Sequence, residues 1–436
     1  MSVEPNPIPS AVAGLNPEPY ADGAQSALSR RNFLRVAGVA GGGLIAAGVA
    51  ACQAAAAPAW SFATAASAGA ATPAPSASAV ASAGAGASAS AVASGSVAPS
   101  ASASPTASLP AGWSQHDLNA QLKVRRFVGN LADKAGLGSI FDPILGGPNT
   151  DDPEYTKVKY GNQPLAPSSV AADGTKVFDM TIDEITWQID AVNPPVKAVG
   201  YNKMWPGPEI RVTEGDKLQF NFTNNLQETT AVHFHGVEFD DFTQDGVAFV
   251  TQLPFGPGQT YTYKFTATRS GSQMYHSHHN ATDQGGRGLL GAFIVEPKDA
   301  AQTYAKKNGV TQEVIWIHND ALGGFTINGH GFPATKPIIA TKGDKILIRF
   351  MNEGTMMHPW HSHGFFMNVV ARDGYDLGTA AFRADTLGVN PGERYDAIID
   401  CDRIGAWAFH CHILPHVEGL DGMFGMVTAL IILPPA

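Results

Sequence analysis

From Lys176 onward the chain alternates apolar and polar residues with a period of two. Phe178, Met180 and Ile182 interleave with Asp179, Thr181 and Asp183. Leu218, Phe220 and Phe222 follow the same rule, as do Ile346, Ile348 and Phe350. Such runs predict half-buried strands, in which residues i and i+2 share a face. Two of them follow matching turns, Gly215-Asp216-Lys217 and Gly343-Asp344-Lys345. Upstream the pattern changes. Residues 114–136 allow one amphipathic helix, with Leu118, Leu122, Phe127 and Leu131 on overlapping faces. Residues 137–175 are punctuated by Pro and Gly and predict irregular chain, and no function is assigned to 113–175. Residues 53–112 consist largely of Ala, Ser, Pro, Gly and Val without one charged side chain. A tract with so little to bury predicts a disordered stalk, reaching on the order of 40 Å as a flexible coil.

The strand pattern occurs twice. An offset of 128 carries the first turn onto the second, and His233, His235 and Gly236 onto His361, His363 and Gly364. An offset of 134 then carries Pro257-Gly258 onto Pro391-Gly392, Tyr261 onto Tyr395, and His276 and His278 onto His410 and His412. One six-residue shift in a loop accounts for the change. The expected fold is all-β, with two β-domains at 176–300 and 301–436. The 47 Gly and 30 Pro among 436 residues agree with many turns and little helix.

The first residues predict export. Ser29-Arg30-Arg31-Asn32-Phe33-Leu34 looks like a twin-arginine signal, and the Gly/Ala-rich run 36–51 is too short for a confident membrane span. Val49-Ala50-Ala51-Cys52 resembles a lipoprotein cleavage box, so residues 1–52 predict a leader that ends in a lipidated Cys52 and a membrane tether. The expected location is extracytoplasmic, at the cell surface or secreted.

Charge and cysteines narrow the chemistry. A formal charge of −10 argues against a nucleic-acid partner, which needs a basic face. Three cysteines, Cys52, Cys401 and Cys411, make a poor disulfide framework, and Cys401 is expected to be a buried strand residue. Histidine carries the signal. Of 14, all but His116 lie between His233 and His416, and ten fall in four short clusters. Residues 410–416, His-Cys-His-Ile-Leu-Pro-His, place a soft thiolate among borderline imidazoles, a mixture suited to copper or zinc.

Each His-X-His on a strand presents two imidazoles to one side, so four pairs brought together suit a cluster of about three metals. The second copy adds His358, Cys411, His416 and Met423 where the first has Thr230, Ser277, Thr282 and Leu289. Two imidazoles, a thiolate and a thioether form the ligand set of an electron-transfer copper.

His233-Phe-His235-Gly, His276-Ser-His278, His358-Pro-Trp-His361-Ser-His363-Gly and His410-Cys-His-Ile-Leu-Pro-His416 together resemble the four copper motifs of multicopper oxidases. With two cupredoxin-like domains, the chain is most similar to the two-domain, small-laccase branch. The resemblance implies four coppers per functional unit. Type 1 would take His358, Cys411 and His416 with Met423 axial, type 2 His233 and His361, and the type 3 pair His235, His276, His278, His363, His410 and His412. The family usually has its axial residue five positions after the last histidine, which is Asp421 here. The internal alignment favours Met423, with Met426 the alternative.

The same resemblance implies one-electron oxidation of a small reducing substrate at type 1 copper. The electron passes through Cys411 and its neighbours to a trinuclear cluster that reduces dioxygen to water. Asp245 stands where the family has a proton-relay acid. A head-to-tail homotrimer is implied, because a two-domain chain must complete its cluster with the next subunit. Phenols or aromatic amines are the expected substrates, ahead of copper, iron or manganese ions, with copper nitrite reduction a more distant alternative. His279, His318, His330 and His116 are expected to be structural, as are Trp360, Met356 and Met357 in the core, and Asp240 and Asp241 to be solvated.

Overall fold

The computed structural model of the protein describes residues 109–131, 151–190, 192–320 and 324–435. The predicted signal, Cys52 and nearly all of the stalk lie outside them. No helix among the described residues is long and apolar enough to cross a membrane.

The alternating runs become two β-sandwiches. In the first, strand Lys176–Trp187 runs parallel to Lys217–Asn224, which pairs antiparallel with Thr260–Thr266. Its second sheet sets Glu209–Thr213 parallel to Leu290–Glu296, followed antiparallel by Gly271–Ser277 and Val232–His235. The second sandwich repeats this plan. Gln312–Asn319 lies parallel to Lys345–Asn352 and that strand antiparallel to Arg394–Asp400. Opposite, Ile338–Thr341 lies parallel to Val427–Leu433, then Gly405–Cys411 and His358–Ser362 follow antiparallel. Phe178, Met180, Ile182, Leu218, Phe220 and Phe222 are buried in the first core, and Ile346, Ile348 and Phe350 in the second, as period-two burial requires.

Strand Lys345–Asn352 departs from simple alternation, because every residue after Lys345 is buried. Its other face meets the first domain. Met351 joins Met274, Leu290, Ala292 and Ile294 there, together with Ile315 and Ile317, in a core shared by both sandwiches. Arg349 is buried too, and it bonds to Glu313, Ser272 and Asp396. A buried guanidinium with partners on each side is costly to unpair, so this contact fixes the relative placement of the domains.

The N-terminal helix is Gln115–Val128, capped by Ser114, whose side chain accepts from Asp117 N while Asp117 bonds back. It is shorter than the 114–136 stretch, and a 3₁₀ turn carries it on to Leu131. Only Phe127 and Val128 are buried on it, and Phe127 packs on Phe332 with centroids 4.9 Å apart. Leu122 stays on the surface, while Phe127 and Val128 join the core of the second sandwich with Val124 and Leu131 packed against it. Its middle lies on the two-stranded ribbon Glu418–Gly419 and Gly422–Met423, where a Cβ on Gly422 would stand 2.4 Å from Ala120 Cβ.

Candidate metal centre

Strand register assembles the imidazoles. Val232–His235 and Gly271–Ser277 pair so that His233 faces His276 directly. In the second domain His361 faces His410 in the same way, and Trp360 faces Cys411. The first His-X-His run of each domain is followed by a glycine at positive φ, Gly236 at 87° and Gly364 at 72°. No Cβ fits at either position: one on Gly236 would meet Gln273 Oε1 at 2.0 Å, and one on Gly364 the Trp407 ring at 2.3 Å.

In the first domain His233, His235 and His276 bring ligand nitrogens within 4.8 Å of one another, and the His278 ring lies 5.4 Å from that of His233. His233 Nδ1 donates to the Asp245 carbonyl at 2.6 Å, and His276 Nδ1 to the Ser277 carbonyl at 2.9 Å. Those bonds fix the tautomers and leave each Nε2 lone pair free for a metal. His276 Nε2 faces His235 Nδ1 at 3.4 Å. Burial pushes His233 and His276 down to about 4 and His235 to about 3, so all three are neutral ligands at pH 7.

The second set mirrors the first. His361 Nδ1 lies 3.0 Å from the Asp385 carbonyl, and His410 Nδ1 donates to the Cys411 carbonyl at 2.9 Å. His363 Nε2 and His410 Nε2 stand 3.0 Å apart, and His412 lies 5.5 Å from His361 between ring centroids. Unlike the first set it faces solvent, with His363 and His412 exposed. Among the described residues no ring contact or hydrogen bond joins the two sets. The first set instead lines a cavity of about 300 Å³ with Glu353 and Gly392 of its own second domain.

A third group lies wholly within the second domain. His358 Nδ1 and His416 Nδ1 each stand 3.7 Å from Cys411 Sγ, and all three residues are buried. Burial pushes the Cys411 thiol up to about 11. A thiolate in that place needs a cation beside it, and two imidazoles with one sulfur suit copper. The equivalent residues of the first domain, Thr230, Ser277 and Leu289, are buried without a metal-binding donor set. Met423 packs partly buried against the core that contains Cys411, and Met426 is fully buried in it. The Met426 carbonyl accepts from Cys411 N. Asp421, five residues after His416, is turned away to the helix and accepts from Asn119 Nδ2 at 3.0 Å, with His116 Nδ1 at 2.7 Å. The ribbon Glu418–Gly419 and Gly422–Met423, with Asp421 in its turn, carries the chain from His416 to Met423 and reaches the helix.

Asp245 adjoins His233, its carboxylate 3.4 Å from Nδ1. Asp240 and Asp241 are exposed. Cys401 is buried just beyond its strand. His279 bonds Thr229 and packs on Phe249, and His330 sits between the carbonyls of Lys159 and Ile189.

One expectation needs revision, and two histidines expected to be structural have defined partners. Met356 and Met357 are 41% and 44% exposed, not core, because their loop is tied down through its backbone to Asp320 and Asn352. His116, expected to be ordinary, anchors the ribbon. His318 is buried beside the Cys411 group, accepts from Trp360 Nε1 at 3.1 Å, and lies 6.1 Å from His358 between centroids.

Other residues near the metal positions carry no spacing signal. Asp320 Oδ2 lies 3.1 Å from His358 Nε2, with both side chains fully buried. Phe325 stacks on His416. Glu353 has one carboxylate oxygen buried without a partner while part of its surface remains on the cavity, and burial pushes it up to about 8.

Comparison with known proteins agrees with this donor set. Family models described as multicopper oxidase match residues 181–300 and 301–430. The chain belongs to the multicopper oxidase family, whose members bind copper. It is 40% identical over 164 residues to the iron transport multicopper oxidase FET3 of Gibberella zeae, covering 36% of this chain and 25% of that protein. It is 30% identical over 236 residues to Laccase-2 of Botryotinia fuckeliana, covering 47% and 40%. The solved multicopper oxidase mgLAC superposes with a TM-score of 0.56 at 37% identity, over 59% of this chain and 86% of that one. The chain thus spans less than half the length of these two curated relatives.

Proposed function

We propose that the protein is a laccase-like oxidase that couples one-electron oxidation of phenols or aromatic amines to reduction of dioxygen to water. The observation that carries this reading is the pair of four-imidazole sets in identical strand register, one of them joined through Cys411 to a third metal position. His358, Cys411 and His416, with Met423 axial, would hold type 1 copper. His233 and His361 would hold type 2, and His235, His276, His278, His363, His410 and His412 the type 3 pair. When bound, copper supplies the redox chemistry of both half-reactions. The chain fixes ligand tautomers through the carbonyls of Asp245, Ser277, Asp385 and Cys411, keeps His233, His235 and His276 neutral by burial, and places Cys411 in direct covalent sequence with His410 and His412. Asp245, beside His233, is the proton relay of this reading.

The two four-imidazole sets do not meet within one chain, and the interdomain core holds the domains in that relation. A head-to-tail homotrimer, first domain against the next chain's second, would close each cluster. Exposed His363 and His412 favour it, as do the apolar Phe242, Phe249, Val250 and Leu253, each about 70% exposed in the segment that follows the first His-X-His. Twin-arginine export and a tether at Cys52 complete the proposal and account for the motifs before residue 53.

The 40% identity to a protein named for iron transport favours a second reading, oxidation of metal ions. Dioxygen uptake by copper-loaded protein separates the two. Uptake with a phenol panel and little with ferrous, cuprous or manganous ions is expected. Uptake with metal ions alone overturns the substrate class, and nitrite consumption without oxygen uptake overturns the oxidase. Sedimentation that gives a fully active monomer overturns the trimer.

A further inference from the structure

Both imidazoles beside Cys411 are screened from solvent. His358 is fully buried, and Asp320 closes off its Nε2. His416 is 4% exposed, because Phe325 lies flat on it with centroids 3.9 Å apart and planes within 15°. Phe325 keeps part of its own surface and continues toward Phe424, 6.5 Å away between centroids. The stack depends on Gly425, at φ 63°. A Cβ there would stand 2.4 Å from the His416 carbonyl oxygen and 3.2 Å from Phe325 Cβ. A reducing substrate that approaches His416 from this side meets Phe325 before any ligand imidazole.

We propose that Phe325 is the specificity-determining contact for the reducing substrate and that it selects flat, electron-rich arenes over hydrated metal ions. The proposal rests on the phenol-oxidase reading above. An arene that stacks on the exposed part of Phe325 extends the Phe325–His416 column by a second aromatic pair. With copper held by His358, Cys411 and His416 as the one-electron acceptor, the phenol would give up one electron through this contact. Its hydroxyl proton passes to solvent, and it leaves as the phenoxyl radical. A hydrated divalent ion prefers free carboxylate oxygens. Both oxygens of Asp320 are already engaged by His358 and the backbone of Thr355 and Met356, and Asp421 is turned to the helix, where its Oδ1 is held by His116 and Asn119.

Phe325→Leu and Phe325→Ala test this. In copper-loaded Phe325→Leu, kcat/KM for dimethoxyphenol is expected to fall about threefold to tenfold, while that for hexacyanoferrate(II), which needs no stacking, holds within about twofold. An unchanged visible absorption of type 1 copper shows that the metal site is intact. In metal-free protein, diethyl pyrocarbonate should modify His416 far more slowly than exposed His412, and Phe325→Ala should remove most of that protection. Equal losses on both donors, an unchanged donor preference, or a wild-type His416 as reactive as His412 would overturn the role of Phe325. A wild type that takes up dioxygen with hexacyanoferrate(II) and with no phenol overturns the arene reading beneath it instead.

Discussion

Replacing Asp320 by Asn should raise the reduction potential of the type 1 copper that His358 and Cys411 are proposed to hold. Asp320 accepts from Thr355 N at 2.7 Å, Met356 N at 2.8 Å and Thr355 Oγ1 at 3.0 Å, besides His358 Nε2. Burial raises its pKa, but the bonds from His358 and from the Thr355 and Met356 backbone outweigh that and hold it below the usual carboxylate range. It therefore stays ionised, and its negative charge favours the more highly charged oxidised metal. Asn keeps the shape and one acceptor oxygen, which can face His358, but loses the charge and the second acceptor. Charged and neutral hydrogen bonds differ by about 1.5 kcal/mol, which for a one-electron couple is about 60 mV. The assay is a mediated redox titration followed at the visible band, with circular dichroism to show that the fold is retained. A potential that stays put or falls in a folded, copper-loaded variant would refute the reasoning.

Cys411→Ser should abolish the visible type 1 absorption and dioxygen uptake while leaving the melting profile of the metal-free protein nearly unchanged, because Ser nearly matches the buried thiol in size; retained uptake would remove Cys411 from the electron path. Asp245→Asn keeps the carbonyl that orients His233, so type 1 reduction should proceed normally while dioxygen uptake slows about 10²-fold or more; equal slowing of both would point to a structural role. Metal-free protein should lose stability as pH falls from about 6.5 to about 4, the interval between the ordinary imidazole value and that of buried His233 and His276. Across that interval the unfolded chain takes up protons that the folded chain refuses. Copper loading should displace the loss to lower pH, and thermal melts across a pH series check both statements.

The eight paired histidines were legible because two regularities coincide on them, the period of a strand and the offset between copies. His358, Cys411, His416 and Met423 stood out by subtraction, as donors that only one copy carries. Asp320 and Phe325 obey neither rule. They lie in the segment that follows strand Gln312–Asn319, have no counterpart in the internal alignment, and reach His358 and His416 only through tertiary folding. Met356 and Met357 misled because apolar side chains beside a ligand suggest packing, whereas the backbone of their loop is held by Asp320 and Asn352 and both residues stay partly exposed. The N-terminal helix was visible from its period, but its place on the ribbon before Met423 was not, since Asp421 gives no sign of its partners.

The separation of the two four-imidazole sets has a genetic consequence. In a head-to-tail ring each oxygen-reducing centre belongs to two chains, so a defect in His233 and a defect in His361 disable different contributions to it. Two inactive alleles of this kind would complement one another when expressed together. Random mixing leaves about one centre in four with both contributions sound. Each type 1 site, built within one chain, would gain nothing from the exchange.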